Sequence, residues 1–348
     1  MDNKQFFKEA GFGMMMHFGL YSLIGGEWKG ERAPGIGEWA QSYFRIPNAE
    51  YHELTKAFNP IFFNAEEYVT LAKEVGMKYL VVTAKHHEGF ALYRSRASKF
   101  NSADATPAHR DFIEELANAC ARHGLKLGLY YSQELDWSHP HGGGYGFYSR
   151  SQVRNGIHTS RSNDWDFTDL AAKDYSICYE EKILPQVEEI LTQYGDIFLV
   201  WFDTPFVITP EQSRNLYDLV KKLQPDCLVN SRIGNGIGDY RSTDDNQIAF
   251  DVAADAKPDS TAGSARQAEG KVRTGLYECP ATMNDTWGWK SFDQNWKSAD
   301  RLREIRARLN ANGINYLLNV GPDNLGRIPA AAGEILRQMA ADGQGRFE

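Results

Sequence analysis

Asp203 is the residue of this sequence whose position most clearly suggests chemistry. It ends the apolar run Asp196-Ile-Phe-Leu-Val-Trp-Phe-Asp203, and Pro205 follows soon after. A short run of branched and aromatic residues before a breaker predicts a buried strand, here with a carboxylate at its carboxyl end. A carboxylate in that position suits an active site, although an aspartate after a strand can also simply cap the next helix.

Several other apolar runs also end in polar or aromatic side chains. Each has an ordinary explanation by itself, as a loop histidine, a surface ion pair or part of the core. If the runs are parallel strands, however, all these ends meet at one rim, where they form a mouth suited to a polyhydroxylated sugar ring. The residues at or just past these ends are His17, His86, His87, Tyr130, Tyr131, Trp201, Asp203, Arg232 and Glu278.

Two carboxylates in such a mouth indicate acid/base cleavage of a glycosidic bond. In the retaining version of that reaction one carboxylate attacks the anomeric carbon while the other protonates the leaving oxygen. Asp203 is the natural nucleophile, because its strand holds it rigidly and its aromatic neighbours can exclude water. The pattern leaves the identity of the acid open.

The elements that must position these residues alternate between strand and helix. The spacing of apolar residues, polar caps and glycines predicts helices at about residues 64–76, 111–124, 174–194, 209–223 and 298–313, and a last helix from about residue 329. Roughly eight strand-to-helix units, with no repeat and no linker, predict an α/β fold of the (β/α)8 or TIM-like barrel type, with residues 1–348 as one catalytic domain. Residues 239–248 read as a short strand or loop, and residues 250–271 as an irregular, mobile region.

An open, doubly wound sheet is the main alternative fold. That fold usually carries a glycine-rich phosphate-binding loop after its first strand. Gly25, Gly26 and Gly30 follow the first predicted strand, but they do not have the dinucleotide-binding spacing. The barrel is therefore the favoured prediction.

The composition is that of a soluble globular protein. Of the 348 residues, 42% are hydrophobic and 24% are charged, and the formal net charge of −8 argues against a nucleic-acid partner. No run is long enough to span a membrane and no leader-like segment precedes the first strand, which predicts a cytoplasmic protein or a mature secreted form. The 4 cysteines are scattered and are predicted to be free thiols.

A set of motifs in this sequence resembles the successive motifs of the family 29 glycoside hydrolases, the α-L-fucosidases, from about residue 8 to residue 340. The resemblance implies an exo-acting, retaining α-L-fucosidase on a (β/α) barrel, which needs no cofactor or metal and acts on terminal α-L-fucosyl groups of oligosaccharides or glycoconjugates. The motifs are Gly13-Met-Met-Met-His-Phe-Gly-Leu-Tyr-Ser22, Glu38-Trp39, Thr83-Ala-Lys-His-His-Glu-Gly-Phe90, Leu129-Tyr-Tyr-Ser132, Trp201-Phe-Asp203, Asn230-Ser-Arg232, Asn284-Asp-Thr-Trp-Gly288 and Leu317-Leu-Asn-Val-Gly-Pro322.

The resemblance also implies roles for individual residues. Asp203 is implied as the nucleophile, and Trp287 is our candidate for contact with the apolar face and methyl group of the sugar. The residues implied to hold the hydroxyls and ring of fucose are His17, Glu38, Trp39, His86, His87, Tyr131, Trp201 and Arg232.

The general acid/base is the residue that the family places differently in its branches. One pattern puts it in the segment Thr243-Asp-Asp-Asn246, and another puts it at the glutamate of Tyr277-Glu-Cys-Pro-Ala-Thr282. We expect Glu278 first, because a long side chain at a strand end can reach the leaving oxygen, with Asp245 second and Glu269 third. A structural hydrogen bond or ion pair is the alternative role for Glu278.

The sequence departs from the family in two places. Many relatives carry a C-terminal β-sandwich that we do not expect here, and Thr204 stands where relatives often have glycine, which restricts the backbone after Asp203.

Two other functions are alternatives to fucoside hydrolysis. The same mouth could bind fucosylated glycans without cleaving them. Metal-dependent hydrolysis would need His86 and His87, or His139 and His141 with Asp136, but the side chains of adjacent histidines diverge.

Overall fold

The computed structural model of the protein describes residues 2–143, 162–249, 252 and 275–341, together with the backbone of residues 152–154 and 157–159. No helix within these ranges combines the length and the apolar character that crossing a bilayer requires. The predicted mobile region at residues 250–271 and the candidate Glu269 lie outside the described residues, apart from Val252.

Eight parallel strands form the centre of the molecule. The strands are β1 Phe12–Met16, β2 Tyr79–Lys85, β3 Lys126–Ser132, β4 Leu199–Asp203, β5 Leu228–Val229, β6 Arg241–Ser242, β7 Tyr277–Thr282 and β8 Ile314–Asn319. In the sheet β1 is paired with β8 and with β2, and pairing then continues in chain order on both sides. One parallel bridge, between Asn230 and Tyr240, joins the end of β5 to the start of β6 and so connects the two edges of the sheet. This arrangement confirms the predicted (β/α)8-type barrel.

Helices separate most of the strands and end within a few residues of their predicted bounds. Their caps are local: the side chains of Asn64, Asp111, Thr209 and Ser298 each accept a hydrogen bond from a backbone N–H in the first helical turn. The α-helices of eight residues or more are Asn3–Ala10, Ala65–Glu74, Phe112–His123, Leu184–Thr192, Pro210–Leu223, Ala299–Ala311 and Ala330–Ala341.

Shorter elements fill the loops at the mouth of the barrel. The helix Leu184–Thr192 is preceded without a break by Tyr175–Cys178 and by the π-helical turn Tyr179–Ile183. The remaining short helices are Leu20–Ile24, Gly37–Trp39, Ala40–Tyr43, Asn48–Tyr51, His52–Ala57, Ser102–Ala105, Leu170–Ala172 and Ser231–Ile233, and the antiparallel ribbons are Glu27–Trp28 with Glu31–Arg32 and Gln152–Arg154 with Ile157–Thr159.

The side chains of each strand alternate between the barrel interior and the helices outside. The interior cluster includes Tyr79, Val81, Leu199, Trp201 and Leu317, all of them buried. Gly13 leaves room for one of these residues, because a Cβ atom there would lie 2.5 Å from the ring of Tyr79. The larger cluster lies between the outer faces of the strands and the helices. A single-residue step along a strand therefore decides whether a side chain faces the interior and its mouth or the helices.

Two predicted strands differ from the observed ones in ways that matter for the site. β5 is only Leu228–Val229, and the predicted strand end at Arg232 belongs instead to the 3-10 turn Ser231–Ile233. β7 runs on to Thr282, so Glu278 is its second residue and does not stand at its carboxyl end. The prediction that Glu278 lies at a strand tip is therefore wrong.

Candidate active site

Asp203 lies at the carboxyl end of β4, and its carboxylate receives hydrogen bonds from two neighbouring elements. The Tyr130 hydroxyl, on β3, donates to Oδ2 at 2.7 Å, and the Arg232 guanidinium donates to Oδ1 at 3.2 Å. Nε2 of His87 is 4.0 Å from Oδ2. The Asp203 side chain is only 16% exposed. Its neighbours in the barrel wall therefore hold its orientation, and it lies at the mouth. This is the arrangement that a positioned nucleophile needs.

The environment of Tyr130 ensures that its hydroxyl stays protonated and acts as a hydrogen-bond donor. Burial first, and then the negative charge of Asp203, raise the pKa of Tyr130 well above its ordinary value. The phenol consequently keeps its proton at all physiological pH values and can donate to the carboxylate.

Arg232 connects Asp203 with the rim residue Asp245. One terminal nitrogen bonds Asp203, and the other bonds both Asp245 and the backbone oxygen of Thr243 at 2.9 Å. Burial by itself would lower the pKa of Arg232, but Asp245 and Asp203 outweigh it and raise the pKa. The guanidinium also lies 4.7 Å from the ring centre of Trp201. A permanent positive charge thus stands between two carboxylates at the mouth.

Stacked rings form one wall of this mouth. The Tyr130 ring lies between His86, at 5.5 Å and 21°, and Trp201, at 5.4 Å and 19°. His86 is buried, and burial together with the nearby His87 and His17 lowers its pKa well below the ordinary value. Within the described residues Nδ1 of His86 has no hydrogen-bond partner. His86 thus contributes a buried, neutral imidazole to this wall.

The hydrogen bonds of His17 and His87 fix which ring nitrogen carries the proton. Nδ1 of His17 is 2.9 Å from Oδ1 of Asn319, an acceptor, and Nδ1 of His87 is 2.7 Å from the Ser132 hydroxyl, which donates its own proton to Leu135. Both imidazoles therefore carry hydrogen on Nδ1 when neutral, and Nε2 of His17 is then a hydrogen-bond acceptor. Burial lowers the pKa of His17 to about 4, against the opposing effects of Asn319 and Asp203, so His17 is neutral at pH 7.

Two segments far apart in sequence complete the rim. Oε2 of Glu38, in the turn Gly37–Trp39, accepts the backbone N–H of Gly288 at 2.7 Å, and burial raises the pKa of Glu38 to about 7. Trp39 packs edge to face against His87, with ring centres 5.4 Å apart, and the Trp287 ring lies 5.2 Å from His17. The structure thus brings the predicted residues Glu38, Trp39 and Trp287 to the same mouth as the histidines.

Glu278 lies below the mouth, inside the barrel, and its side chain is fully buried. The indole N–H of Trp201 donates to Oε1 and the Tyr79 hydroxyl donates to Oε2, both at 2.8 Å. Burial raises the pKa of Glu278 to about 7, while the bonds from Tyr79 and Trp201 and the charge of Arg232 act in the opposite direction. Both carboxylate oxygens of Glu278 thus accept hydrogen bonds beneath the ring of Trp201. The Asp245 side chain, in contrast, lies at the rim and is 47% exposed.

Tyr131 is turned away from the mouth, which corrects its predicted contact with the sugar. Its hydroxyl donates to Oε1 of Gln186, on an outer helix, at 2.8 Å. Tyr130, the other tyrosine at that strand end, faces Asp203 instead. The register of β3 against β4 shows which tyrosine faces the barrel interior. It pairs Tyr130 with Trp201 and Tyr131 with Phe202, and the two residues of each pair lie on the same face of the sheet.

Asn230 is a residue of the site region whose role the sequence did not suggest. Its side-chain oxygen accepts the backbone N–H of Phe202, and its side-chain nitrogen donates to the Phe202 carbonyl, both at 2.9 Å. The side chain therefore continues the backbone pairing of β4 and β5 between the residues that precede Asp203 and Arg232.

The residues considered for metal binding have other partners. The buried carboxylate of Asp136 lies 3.0 Å from Nζ of Lys85 and 2.7 Å from Nζ of Lys182. His139 lies 3.4 Å from Glu181. In the part of the chain that the structure describes, no group of three or more His, Cys, Asp and Glu side chains could hold a metal ion.

The chain is similar to known α-L-fucosidases in sequence and in structure. The tissue α-L-fucosidase of Bos taurus is 28% identical over 345 residues, which cover 92% of this chain but only 63% of that protein, less than two thirds of its length. The α-L-fucosidase AlfC from Lactobacillus casei, solved with α-L-fucose product, is 48% identical with a TM-score of 0.88 over 99% of this chain and 100% of that one. A structure of AlfC with Fucα(1,6)GlcNAc has 47% identity and a TM-score of 0.87 over 99% of both chains.

These similarities extend over the barrel and its mouth together. The family model for α-L-fucosidases matches residues 1–341, which include every candidate site residue described above. This chain therefore belongs to the α-L-fucosidase family.

Proposed function

We propose that this protein is an exo-acting, retaining α-L-fucosidase that hydrolyses terminal α-L-fucosyl linkages through a covalent fucosyl-enzyme intermediate. The observation that carries the proposal is the carboxylate of Asp203, held by Tyr130 and Arg232 at the carboxyl end of a barrel strand. In barrel enzymes that end of the strands is where catalysis takes place. Membership of the α-L-fucosidase family supports fucose as the sugar.

The proposed reaction has two displacements at the anomeric carbon. In the first, Asp203 forms a bond to that carbon while the bond to the leaving oxygen breaks and a general acid protonates this oxygen. In the second, the residue that acted as the general acid now acts as a base and takes a proton from water. The water oxygen bonds to the anomeric carbon, displaces Asp203 and releases fucose. During both steps His17 accepts a hydrogen bond from a sugar hydroxyl through its Nε2 atom, His87 binds the sugar beside Asp203, and Trp287 lies beside the apolar face of the ring.

We propose Asp245 as the general acid/base, in place of Glu278. The carboxylate of Glu278 is fully buried and both its oxygens accept hydrogen bonds below Trp201, so it cannot reach a leaving oxygen at the mouth. Asp245 is at the rim, open to solvent, and bonds the same guanidinium as Asp203. That shared partner keeps the two carboxyl groups near each other, and a retaining pair stands about 5–5.5 Å apart.

The proposed substrates are fucosylated oligosaccharides or glycoconjugates. We propose fucose α1,6-linked to N-acetylglucosamine as the first natural linkage to test, because AlfC, 47% identical over 99% of this chain, has been solved with that disaccharide. The mouth of this chain carries the polar and aromatic groups that a single terminal sugar ring requires.

Substitution of the proposed nucleophile tests the function directly. Asp203→Ala should give a folded protein whose release of nitrophenol from 4-nitrophenyl α-L-fucopyranoside is lower by about 10⁴-fold or more, because the covalent step is lost. Circular dichroism and thermal unfolding check the fold. Turnover within tenfold of the unsubstituted protein would overturn the proposal, and an unsubstituted protein that binds the disaccharide without releasing fucose would indicate a binding protein instead.

The same assays distinguish the two candidate acids. Asp245→Asn should slow hydrolysis of Fucα(1,6)GlcNAc far more than that of the aryl fucoside, whose leaving group hardly needs a proton, and azide should restore turnover of the aryl fucoside by replacing the water that needs a base. Glu278→Gln should affect the two substrates alike and show no azide rescue. The opposite pattern would return the role to Glu278.

A further inference from the structure

The segment that follows β3 contacts the ends of both strands that carry the active-site charges. The backbone N–H of Gln133 donates to the carbonyl of Asp203 at 3.3 Å, and its side-chain nitrogen donates to the carbonyl of Arg232 at 2.9 Å. The backbone N–H of Leu135 reaches the hydroxyl of Thr204 at 3.4 Å. Gln133 and Leu135, both fully buried, thus join the loops after β4 and β5.

Glu134, between these two residues, binds the loop that follows Asp203. Its side chain is fully buried, and one oxygen, Oε2, accepts the backbone N–H groups of Phe206, Val207 and Ile208 at 2.7, 2.6 and 3.2 Å. Successive N–H groups that point at one anion form a strong and directional contact. The position of these three amides is therefore tied to a rigid strand end.

The backbone of Thr204, between Asp203 and these amides, is strained. Its φ angle is +63°, in the left-handed region that glycine adopts freely and a β-branched residue rarely does. Its hydroxyl donates to the Asp203 carbonyl at 2.7 Å, and the residue is buried. A strained residue persists only when its surroundings hold it. Here the support comes from the contacts of Glu134 and Leu135 and from the backbone hydrogen bond that Phe206 donates to the Thr204 carbonyl at 3.2 Å.

We propose that Glu134 is a positioning residue for the nucleophile. By holding the amides of Phe206 to Ile208, it keeps Thr204 in its left-handed turn and so keeps the Asp203 carboxylate aligned with Tyr130 and Arg232. The inference rests on the proposed role of Asp203, and it assigns to Glu134 no contact with the substrate. Its loss should therefore reduce the chemical step and leave substrate binding nearly unchanged.

Glu134→Gln keeps the shape of the side chain and removes its charge, and Glu189→Gln is the matched control. Glu189 is a buried carboxylate on an outer helix whose Oε1 also accepts backbone N–H groups, from Arg96 at 2.8 Å and Ala97 at 3.1 Å. On 4-nitrophenyl α-L-fucopyranoside, Glu134→Gln should lower kcat about 10- to 100-fold, with KM within about threefold, because small misplacements of a reacting group are costly. Glu189→Gln should lower the unfolding temperature while kcat stays within about threefold.

Thr204→Gly separates positioning from a general loss of stability. Glycine adopts the left-handed turn without strain, so the turn no longer needs Glu134, and Glu134→Gln should cost less than about threefold in kcat when Thr204→Gly is present. Should Glu134→Gln alone fail to fold, Thr204→Gly must restore the fold. The proposal is overturned by an equal loss of kcat in both backgrounds, by equal losses in Glu134→Gln and Glu189→Gln, or by a double variant that does not fold.

Hydrogen exchange gives a measurement that does not depend on activity. The amides of residues 206–208 should exchange faster in Glu134→Gln than in the unsubstituted protein and in Glu189→Gln, since their acceptor is weakened. If the unsubstituted protein hydrolysed no fucoside, the proposed function would fail while this exchange result still stood. Unchanged exchange at residues 206–208 would refute the proposed role of Glu134 in holding these amides, and the fucosidase proposal would remain intact.

Discussion

At the scale of single residues, Tyr130 is the side chain whose contact with Asp203 should matter most for the second displacement. In the proposed mechanism Asp203 leaves the anomeric carbon as a carboxylate, and the Tyr130 hydroxyl donates to its Oδ2. A hydrogen bond to a charged group contributes about 1.5–3 kcal/mol, which corresponds to about 10- to 100-fold in rate. Tyr130→Phe should therefore lower kcat by that factor and also lower KM, because the covalent intermediate accumulates, and a burst of nitrophenol should precede the steady state.

Tyr131→Phe is the matched control for this experiment. It removes a hydroxyl of the same type from the next residue, but that hydroxyl bonds Gln186 behind the strand. We expect an unfolding temperature below that of the unsubstituted protein and an unchanged kcat. A kcat loss in Tyr131→Phe as large as that in Tyr130→Phe would contradict the assigned faces of β3.

The two tyrosines also show what the sequence can and cannot predict about a residue. The run of residues 125–132 predicts a strand with two tyrosines near its end, and both of them lie there. Which of the two tyrosines faces the mouth depends on the alternation of side chains along the strand. Tyr131, the tyrosine that the family resemblance implied as a sugar contact, faces outward. Glu278 shows a similar limit, because the strand that holds it continues through Cys279-Pro280, a pair that resembles a strand end.

At the scale of elements, the end of β5 depends on one side chain that replaces backbone pairing. Asn230 both donates to and accepts from the backbone of Phe202, the residue before Asp203. Asn230→Ala leaves a buried N–H and a buried C=O without these partners, at a cost of about 1–3 kcal/mol for each group. It should lower the free energy of unfolding in urea by a few kcal/mol and also lower kcat, because Asp203 and Arg232 lose their common support.

Asn315→Ala provides the control at the opposite end of the barrel. Asn315 accepts the backbone N–H of Gly11 at 2.8 Å and donates to the carbonyl of Phe7 at 2.7 Å, so it makes the same two kinds of bond near the start of β8. The two alanine variants should lose comparable stability, and only Asn230→Ala should lose kcat. Equal kcat in the two variants would show that the end of β5 does not depend on this side chain for its alignment.

Local signals explain why the long elements could be predicted and the short ones could not. The helices Ala65–Glu74, Phe112–His123 and Pro210–Leu223 each have a capping side chain and an apolar face within the segment itself. β5 and β6, in contrast, are two residues each and are held by the bridge between Asn230 and Tyr240 and by their neighbours in the barrel. Their bounds are set by closure of the whole sheet, which no local pattern encodes.

At the scale of the whole molecule, the barrel interior contains a carboxyl group among apolar and aromatic side chains. Glu278 lies there with Tyr79 and Trp201, and the charge of Arg232 stands above. Hydrophobic patterning predicts interior positions but treats a glutamate as a surface or catalytic residue, since a buried carboxyl is rare. Its role as part of the barrel interior follows only from how eight strands are brought together.

This buried carboxyl should make the stability of the protein depend on pH. Below about pH 4.5 Glu278 is protonated in the folded and the unfolded chain alike. Between that pH and its folded pKa of about 7, the unfolded chain loses the proton and the folded chain keeps it, so the free energy of unfolding falls as the pH rises. The loss is complete above the folded pKa and should be on the order of 3 kcal/mol, since each pKa unit corresponds to about 1.4 kcal/mol.

Glu278→Gln isolates this effect, because the amide is neutral at every pH and the Tyr79 hydroxyl can turn to accept from it. Other buried groups, such as His17 with its lowered pKa and Glu38 with its raised pKa, contribute equally to both proteins and cancel in the difference. Urea unfolding at pH 5, 6, 7 and 8 should therefore show the variant gaining stability relative to the unsubstituted protein as the pH rises. Two parallel curves would mean that Glu278 is ionised in the folded barrel throughout this range, and that Trp201, Tyr79 and Arg232 stabilise its charge more than burial opposes it.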